Sequence, residues 1–330
     1  MKHDRQLSNS YILILIFLLL TGLLLTACGG TAQAKTYTIG IVNLSANLEM
    51  VVDAFKEGMA ELGYVEGENV SYIYEGPVDV DKLDAVAQGL VEADVDLILA
   101  ITTPATQAAQ RATAGADIPV VFIPVTDPVG AGIVDSLTQP GGNTTGITYS
   151  NQEGQRLGWL LQVVPTIEQV YIVYNPQDQS PVLALESVNE VAGKLGVEII
   201  TREASTPEEI AAAFDNTPQE ADAIFFLPDS LINARQIDWF KMAIELKLPT
   251  SGPNVATVQE GTLTAYGIDL AVAARQEGAR LADQILRGIK PADLPVEMAE
   301  FFSAINLETA EAIGLDIPDT ILRQADIIIR

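Results

Sequence analysis

The chain has one cysteine, Cys28, and one histidine, His3, in 330 residues. A lone cysteine excludes a disulfide within the chain and any CxxC metal or redox site. With histidine confined to position 3, the rest of the chain can form no Ser-His-Asp or Cys-His triad. It also lacks a His-based zinc site and a histidine general base. Carboxylate or lysine chemistry remains open, but the absence argues against an enzyme. Positive charge is scarce as well: 18 Lys and Arg stand against 44 Asp and Glu, a net −26. No run of five or more basic residues occurs. Such a surface repels nucleic acid and anionic lipid head groups, so neither is an expected partner. The apolar stretch from Tyr11 to Leu25 spans 15 residues, short of the roughly 20 that a membrane-spanning helix needs.

That stretch follows Lys2 and Arg5 and ends in Leu25-Thr26-Ala27-Cys28. Basic region, apolar region and small-residue cleavage site come in the order of a secretory signal. The Leu-x-small-Cys ending resembles the bacterial lipobox, which implies a lipid on Cys28 and a mature chain that begins there. Residues 1–27 are then a signal peptide. Residues 28–36, with Gly29-Gly30 and the polar Thr31 to Lys35, are a tether. Cleavage leaves 303 residues, enough for two ordinary domains. It removes Lys2, Arg5 and Asp4, so the mature charge is −27. The expected location is extracytoplasmic, lipid-anchored to the cell membrane on its periplasmic side or at the cell surface. The acidic excess reads as a solvated face of an exported protein.

Beyond the tether, short β-branched runs alternate with amphipathic helical stretches. Tyr37 to Val42 and Val70 to Tyr74 are strands, with a helix between them from Leu48 to Leu62. Its apolar face is Val51, Val52, Phe55, Met59 and Leu62, and it stops at Gly63. A helix near Asp81 to Val91 follows. Val95 to Ile101 and Val120 to Ile123 are near-continuous apolar runs, as strands buried on both faces require. Helices are expected near Pro104 and Pro128, each with proline in its first turn. The pattern then restarts. Val170 to Tyr174 is a strand, Pro181 to Leu195 a helix stopped at Gly196, and Val197 to Thr201 a strand. A helix near Pro207, a strand at Ala223 to Leu227 and a helix after Asp229 complete it.

The halves echo each other: Glu61-Leu62-Gly63-Tyr64 matches Lys194-Leu195-Gly196-Val197, and Asp96-Leu97-Ile98-Leu99 matches Asp222-Ala223-Ile224-Phe225. The expected fold is α/β, two doubly wound Rossmann-like lobes. The chain is expected to pass between them at Asn143 to Ile147, at Tyr266 to Asp269 and at Val296 to Ala304. A helix from Leu270 to Arg287 would lie back on the first lobe. The N-terminal lobe is then 37–146 plus 268–297, and the C-terminal lobe 147–267 plus 298–330.

In open α/β sheets a ligand lies beyond the carboxyl ends of the strands. The turns expected there supply Asn43 and Ser45, then Thr102 and Thr103, then Thr126 and Asp127, with Thr144 near the first crossing. The second half supplies Tyr174, Asn175 and Ser180, then Asp229, Ser251 and, at the return crossing, Asp269. No Lys or Arg falls in these turns, which disfavours phosphate, sulfate or dicarboxylate ligands. Hydroxyls, amides and carboxylates suit a neutral or zwitterionic solute. A helix N-terminus at Thr102-Thr103 can hold a carboxylate, and Asp229 opposite it an ammonium. Each residue also has a plainer use, since Ser, Thr and Asp commonly cap helices.

Several motifs together resemble a known family. Thr102-Thr103-Pro104-Ala105, Thr126-Asp127-Pro128-Val129, Pro140-Gly141-Gly142-Asn143-Thr144-Thr145-Gly146 and Tyr174-Asn175-Pro176 are similar to those of ABC-transporter substrate-binding proteins that include receptors for tryptophan and other aromatic amino acids. The similarity runs over most of 37–328. Gln179-Ser180, Asp269-Leu270 and Ala274 depart from the family pattern of Asn-Ser, Asp-Tyr and glycine. The resemblance implies a type I periplasmic-binding fold with a three-segment hinge and no catalysis. It also implies delivery of a small solute, an amino acid and possibly an aromatic one, to a membrane permease and its ATPase. It calls for no cofactor or metal and suits a monomer. Two other functions fit the same residues: a ligand-sensing lipoprotein that feeds a signalling partner, and an extracytoplasmic enzyme using Asp127 and Asp229 as a carboxylate pair.

Overall fold

The computed structural model describes residues 35–148 and 152–330, and Tyr37–Arg330 form one unit. The signal peptide, Cys28 and most of the tether lie outside the described residues. The apolar runs become two sheets. The first contains β1 (Tyr37–Asn43), β2 (Val70–Ile73), β3 (Leu97–Ile101), β4 (Val120–Val125), β5 (Thr144–Thr148) and β11 (Glu297–Met298). Its order is β11-β5-β4-β3-β1-β2, and every pair is parallel. The second contains β6 (Gln169–Tyr174), β7 (Glu198–Glu203), β8 (Ala223–Phe225), β9 (Thr250–Gly252), β10 (Thr264–Ile268), β12 (Phe301–Asn306) and β13 (Ile327–Ile329). Its order is β13-β12-β10-β9-β8-β6-β7, with β12 antiparallel to β10.

Both sheets repeat one doubly wound order: the second strand at the edge, then the first, third, fourth and fifth. The echo around Asp96 and Asp222 has a physical use. Asp96 Oδ2 accepts the Thr38 N–H at 2.8 Å, and Asp222 Oδ2 accepts those of Glu168 and Gln169 at 3.0 and 2.9 Å. Each aspartate fastens the start of its lobe's first strand to the strand beside it. Helices cover both faces of each sheet. In the first, the Glu49–Glu61 helix and the 270–286 segment bury Val51, Phe55 and Leu281 on one side. The Leu83–Glu92 and Thr103–Ala112 helices bury Leu90 and Ala108 on the other.

Three details differ from the sequence expectation. The helix expected at Pro128 does not form: Ala131 N–H reaches Asp127 O at 2.9 Å, but Gly130 and Gly132 (φ 68°) end the turn there. Strand β5 stays on the first sheet to Thr148, paired with Val125, and β11 carries Met298 on the same sheet. The Leu270–Leu286 stretch is interrupted by a π-helical turn, Ala274–Gly278. Gly58 and Gly278 let that turn approach its neighbours. A Cβ on Gly58 would lie 2.1 Å from Arg275 O, and one on Gly278 2.3 Å from Ile123 Cδ1.

Candidate functional site

The carboxyl ends of both sheets converge on a cavity of about 40 Å³. Thr102, Thr103 and Thr126 line it from the first sheet's loops, and Ser180, Ser230 and Asn254 from the second's. Leu48, Leu270, Pro124, Pro228 and Pro253 add apolar surface, and among the described residues no lining side chain is charged. A volume that holds a water molecule or a few is far below the roughly 300–1,000 Å³ of ordinary ligand pockets. Entry of a solute therefore requires the lobes to move apart. They touch through neutral groups. The Thr126 and Ser180 hydroxyls lie 2.5 Å apart, Asn47 Nδ2 donates to Asn233 O at 2.5 Å, and Gln107 bonds Gln179.

The first-lobe wall is strained. Thr102 sits at φ 87°, ψ 163°, a region used almost only by glycine and costing about 1–3 kcal/mol for other residues. It precedes the Thr103–Ala112 helix, whose first turn has proline and no side-chain cap. Thr102 O accepts Thr106 N–H and Oγ1–H at 3.0 and 2.7 Å, which anchors the turn. Among the described residues the Thr102 hydroxyl is buried without a hydrogen-bond partner, as are Asn254 Oδ1 and Ser45 Oγ. Buried polar atoms are seldom left so. Two of these three belong to residues lining the cavity, one from each lobe.

Behind the second-lobe wall lie two buried aspartates. Asp178 Oδ1 accepts Ser180 N–H at 2.9 Å and its Oδ2 accepts Ser230 N–H at 3.3 Å. Asp229 Oδ1 accepts Leu231 and Ile232 N–H at 2.9 and 3.1 Å, and its Oδ2 accepts Asn175 N–H at 2.7 Å. Burial, then the charge of Asp178, pushes Asp229 up to about 7 against the pull of those N–H groups. Burial also raises Asp178. Asp178 thus holds the backbone at Ser180 and Ser230, the two serines at the cavity, and Asp229 holds the turn that follows Ser230.

Thr102, Thr103, Thr126 and Ser180 are thus the sequence candidates that the fold brings to the cavity. Asp229 is not among its lining residues, and both its oxygens are committed to backbone, so the expected ammonium-facing role is not what the geometry gives it. Asn43 ends β1 and Asn175 follows β6, and each closes its own turn: Asn43 Oδ1 accepts Ser45 N–H, and Asn175 Oδ1 accepts Gln177 N–H. Asn43 Nδ2 also donates to Tyr74 OH. Asp127 Oδ1 accepts Gly130 N–H, and Tyr174 OH donates to Glu203 at the sheet edge. Asp269 Oδ1 caps the turn that begins with Leu270. Thr144 lies at the wrong end: it starts β5, where its hydroxyl bonds Gln110 and Asn143, opposite the strand end that faces the cavity.

Ser251 is fully buried under the site, where Arg156 Nη1 donates to its carbonyl at 3.0 Å. Arg156 pairs with Glu153 and lies 3.6 Å over the Phe225 ring. Burial raises Glu153 even though Arg156 opposes it. Arg156 sits on the Glu153–Val163 helix, so the sequences of the turns do not announce it.

Residues 39–329 match the family described as ABC transporter substrate binding protein. The chain belongs to that family. Substrate-binding proteins of this kind are extracytoplasmic, bind small solutes, work with ABC permeases and are not enzymes. The chain is 29% identical over 289 residues to the tyrosine-binding protein of Clostridioides difficile, covering 86% of this chain and 83% of that one. A conserved domain protein of Vibrio cholerae O1 biovar eltor superposes with a TM-score of 0.83 at 26% identity, covering 89% of this chain and 99% of its own. The ABC domain of Streptococcus pneumoniae in complex with L-Trp superposes at 0.80 with 27% identity, covering 88% and 99%. This substrate-binding protein shares the two-lobed periplasmic-binding type I fold. Among its described residues no helix is long and apolar enough to cross a membrane, and no group of three or more His, Cys, Asp or Glu could hold a metal.

Proposed function

We propose that this protein captures an amino acid with an aromatic side chain between its lobes and delivers it, as a monomer tethered through a lipid on Cys28, to a permease and its ATPase. The observation that carries the proposal is the lining of the cavity. It joins an uncapped helix N-terminus bearing Thr102 and Thr103, a row of neutral hydroxyls and amides, and apolar surface from Leu48, Leu270 and three prolines. A carboxylate suits the first, because N-terminal N–H groups and the helix dipole favour an anion. A flat ring suits the proline and leucine surfaces. The tyrosine-binding relative and the L-Trp complex support the same ligand class.

Binding should be screened by calorimetry on residues 29–330 with the common amino acids, a neutral sugar, phosphate and citrate. An aromatic amino acid should bind, and the anions should not. Tight binding of a sugar or phosphate with no response to any amino acid overturns the proposal.

A further inference from the structure

We infer that Asn254, through its amide oxygen, receives the ammonium of the bound amino acid, while the Thr102 hydroxyl opposite donates to the carboxylate. This inference rests on the amino-acid function proposed above. The sorting of the two ends follows from what each atom can do. A protonated amine needs acceptors, and among the described residues the cavity has no carboxylate to offer: Asp178 and Asp229 spend their oxygens on backbone N–H groups. Asn254 Oδ1 is buried at the cavity without a hydrogen-bond partner, an acceptor waiting for a donor. The Asp178 carboxylate, which holds the Ser180 and Ser230 backbone behind the same wall, favours a cation on the second-lobe side. On the first-lobe side, the Thr102 hydroxyl and the helix start favour an anion.

The backbone of Asn254 is fixed independently of its side chain. Its carbonyl accepts Thr257 Oγ1–H at 2.6 Å, and the next residue, Val255, donates its N–H to Ile268 O at 3.2 Å. The loop also presses on β10, where a Cβ on Gly267 would stand 2.8 Å from Pro253 O and 3.1 Å from Asn254 Cα. Removing the amide should therefore leave the loop in place.

The test is calorimetry with L-tyrosine and L-tryptophan. Each is compared with its analogue lacking the amine (3-(4-hydroxyphenyl)propionate, indole-3-propionate) and its analogue lacking the carboxylate (tyramine, tryptamine). Asn254→Ala should weaken the zwitterions by ~10- to 150-fold, the range for a hydrogen bond to a charged group. It should leave the amine-free acids unchanged. Thr102→Val should weaken zwitterions and acids and leave the carboxylate-free amines unchanged. Asn254→Asp keeps the acceptor and should keep the zwitterions within ~10-fold of wild type, a change of about one hydrogen bond's net worth. An Asn254→Ala variant that loses acids and zwitterions equally, or loses nothing, overturns the assignment while the amino-acid function stands. If the wild type binds neither zwitterion, the proposed function fails and the assignment falls with it.

Discussion

The hydroxyls of Thr126 and Ser180 meet at 2.5 Å, one from each lobe, and both side chains are almost wholly buried. Their bond exists only while the lobes are together, so it belongs to the closed arrangement alone. A neutral hydrogen bond is worth about 0.5–1.5 kcal/mol net. Ser180→Ala and Thr126→Val should each weaken solute binding several-fold with little change in melting temperature. The double variant should be no worse than the poorer single one, giving a coupling energy in a double-mutant cycle. Fully additive losses would mean that the two hydroxyls do not act on each other.

Thr102 offers a separation of stability from binding. Thr102→Gly releases a conformation costing about 1–3 kcal/mol and gives back about 0.5–1 kcal/mol to unfolded-chain freedom. Melting temperature should rise by a few degrees while affinity for the solute falls. A drop in melting temperature would show that the threonine methyl contributes more than the strain takes away.

Asp229 sets a pH dependence whose sign can be worked out. Its pKa is raised from the ordinary carboxylate range to about 7, chiefly by burial, so the folded chain holds this proton more tightly than the unfolded one. Stability from this group is therefore greatest below about pH 4. It falls as pH rises toward 7 and is flat above, each tenfold gain in proton affinity on folding being worth about 1.4 kcal/mol. Asn at this position does not titrate. The melting temperature of wild type minus that of Asp229→Asn should be larger at pH 5 than at pH 8. A difference independent of pH would refute the raised pKa.

The proposed anchor depends on the only thiol in the chain. Cys28→Ser should appear in the soluble fraction or as uncleaved precursor, and mass spectrometry of the wild type should find a diacylglycerol on Cys28. A wild-type N-terminus without lipid would remove the anchor from the proposed function.

Much of the fold was legible because it is written in apolar runs. Strands such as Leu97–Ile101 and Val120–Val125 are buried on both faces, so they stand out from the amphipathic stretches between them. The site was legible as a set of loops but not as a set of side chains. Asp229 shows why: an aspartate before a helix looks the same in sequence whether its oxygens meet backbone or ligand. Thr144 was misplaced because Asn143 to Ile147 reads as a crossing, while β5 runs on to Thr148 and puts Thr144 at its far end. Pro124 was missed because it falls inside an apolar strand. The register of β4 on β5 shifts between Phe122 and Val125, and such an irregularity is where a strand tolerates proline. Asn254 follows a strand of only three residues, too short to announce its own end.

The glycines of the second lobe bear on how this receptor can change over time. A Cβ on Gly252 would lie 1.8 Å from Thr257 Oγ1, and one on Gly267 would strike the Pro253–Asn254 loop. The backbone that carries Asn254 is thus set by positions that do not line the cavity. The side chains that line the cavity, Thr102 and Asn254 among them, make few bonds to the rest of the protein. Substitutions at the cavity wall are therefore cheap for the scaffold, and substitutions at the glycines are not. A lineage built this way can alter what its cavity holds while its outer shape stays the same.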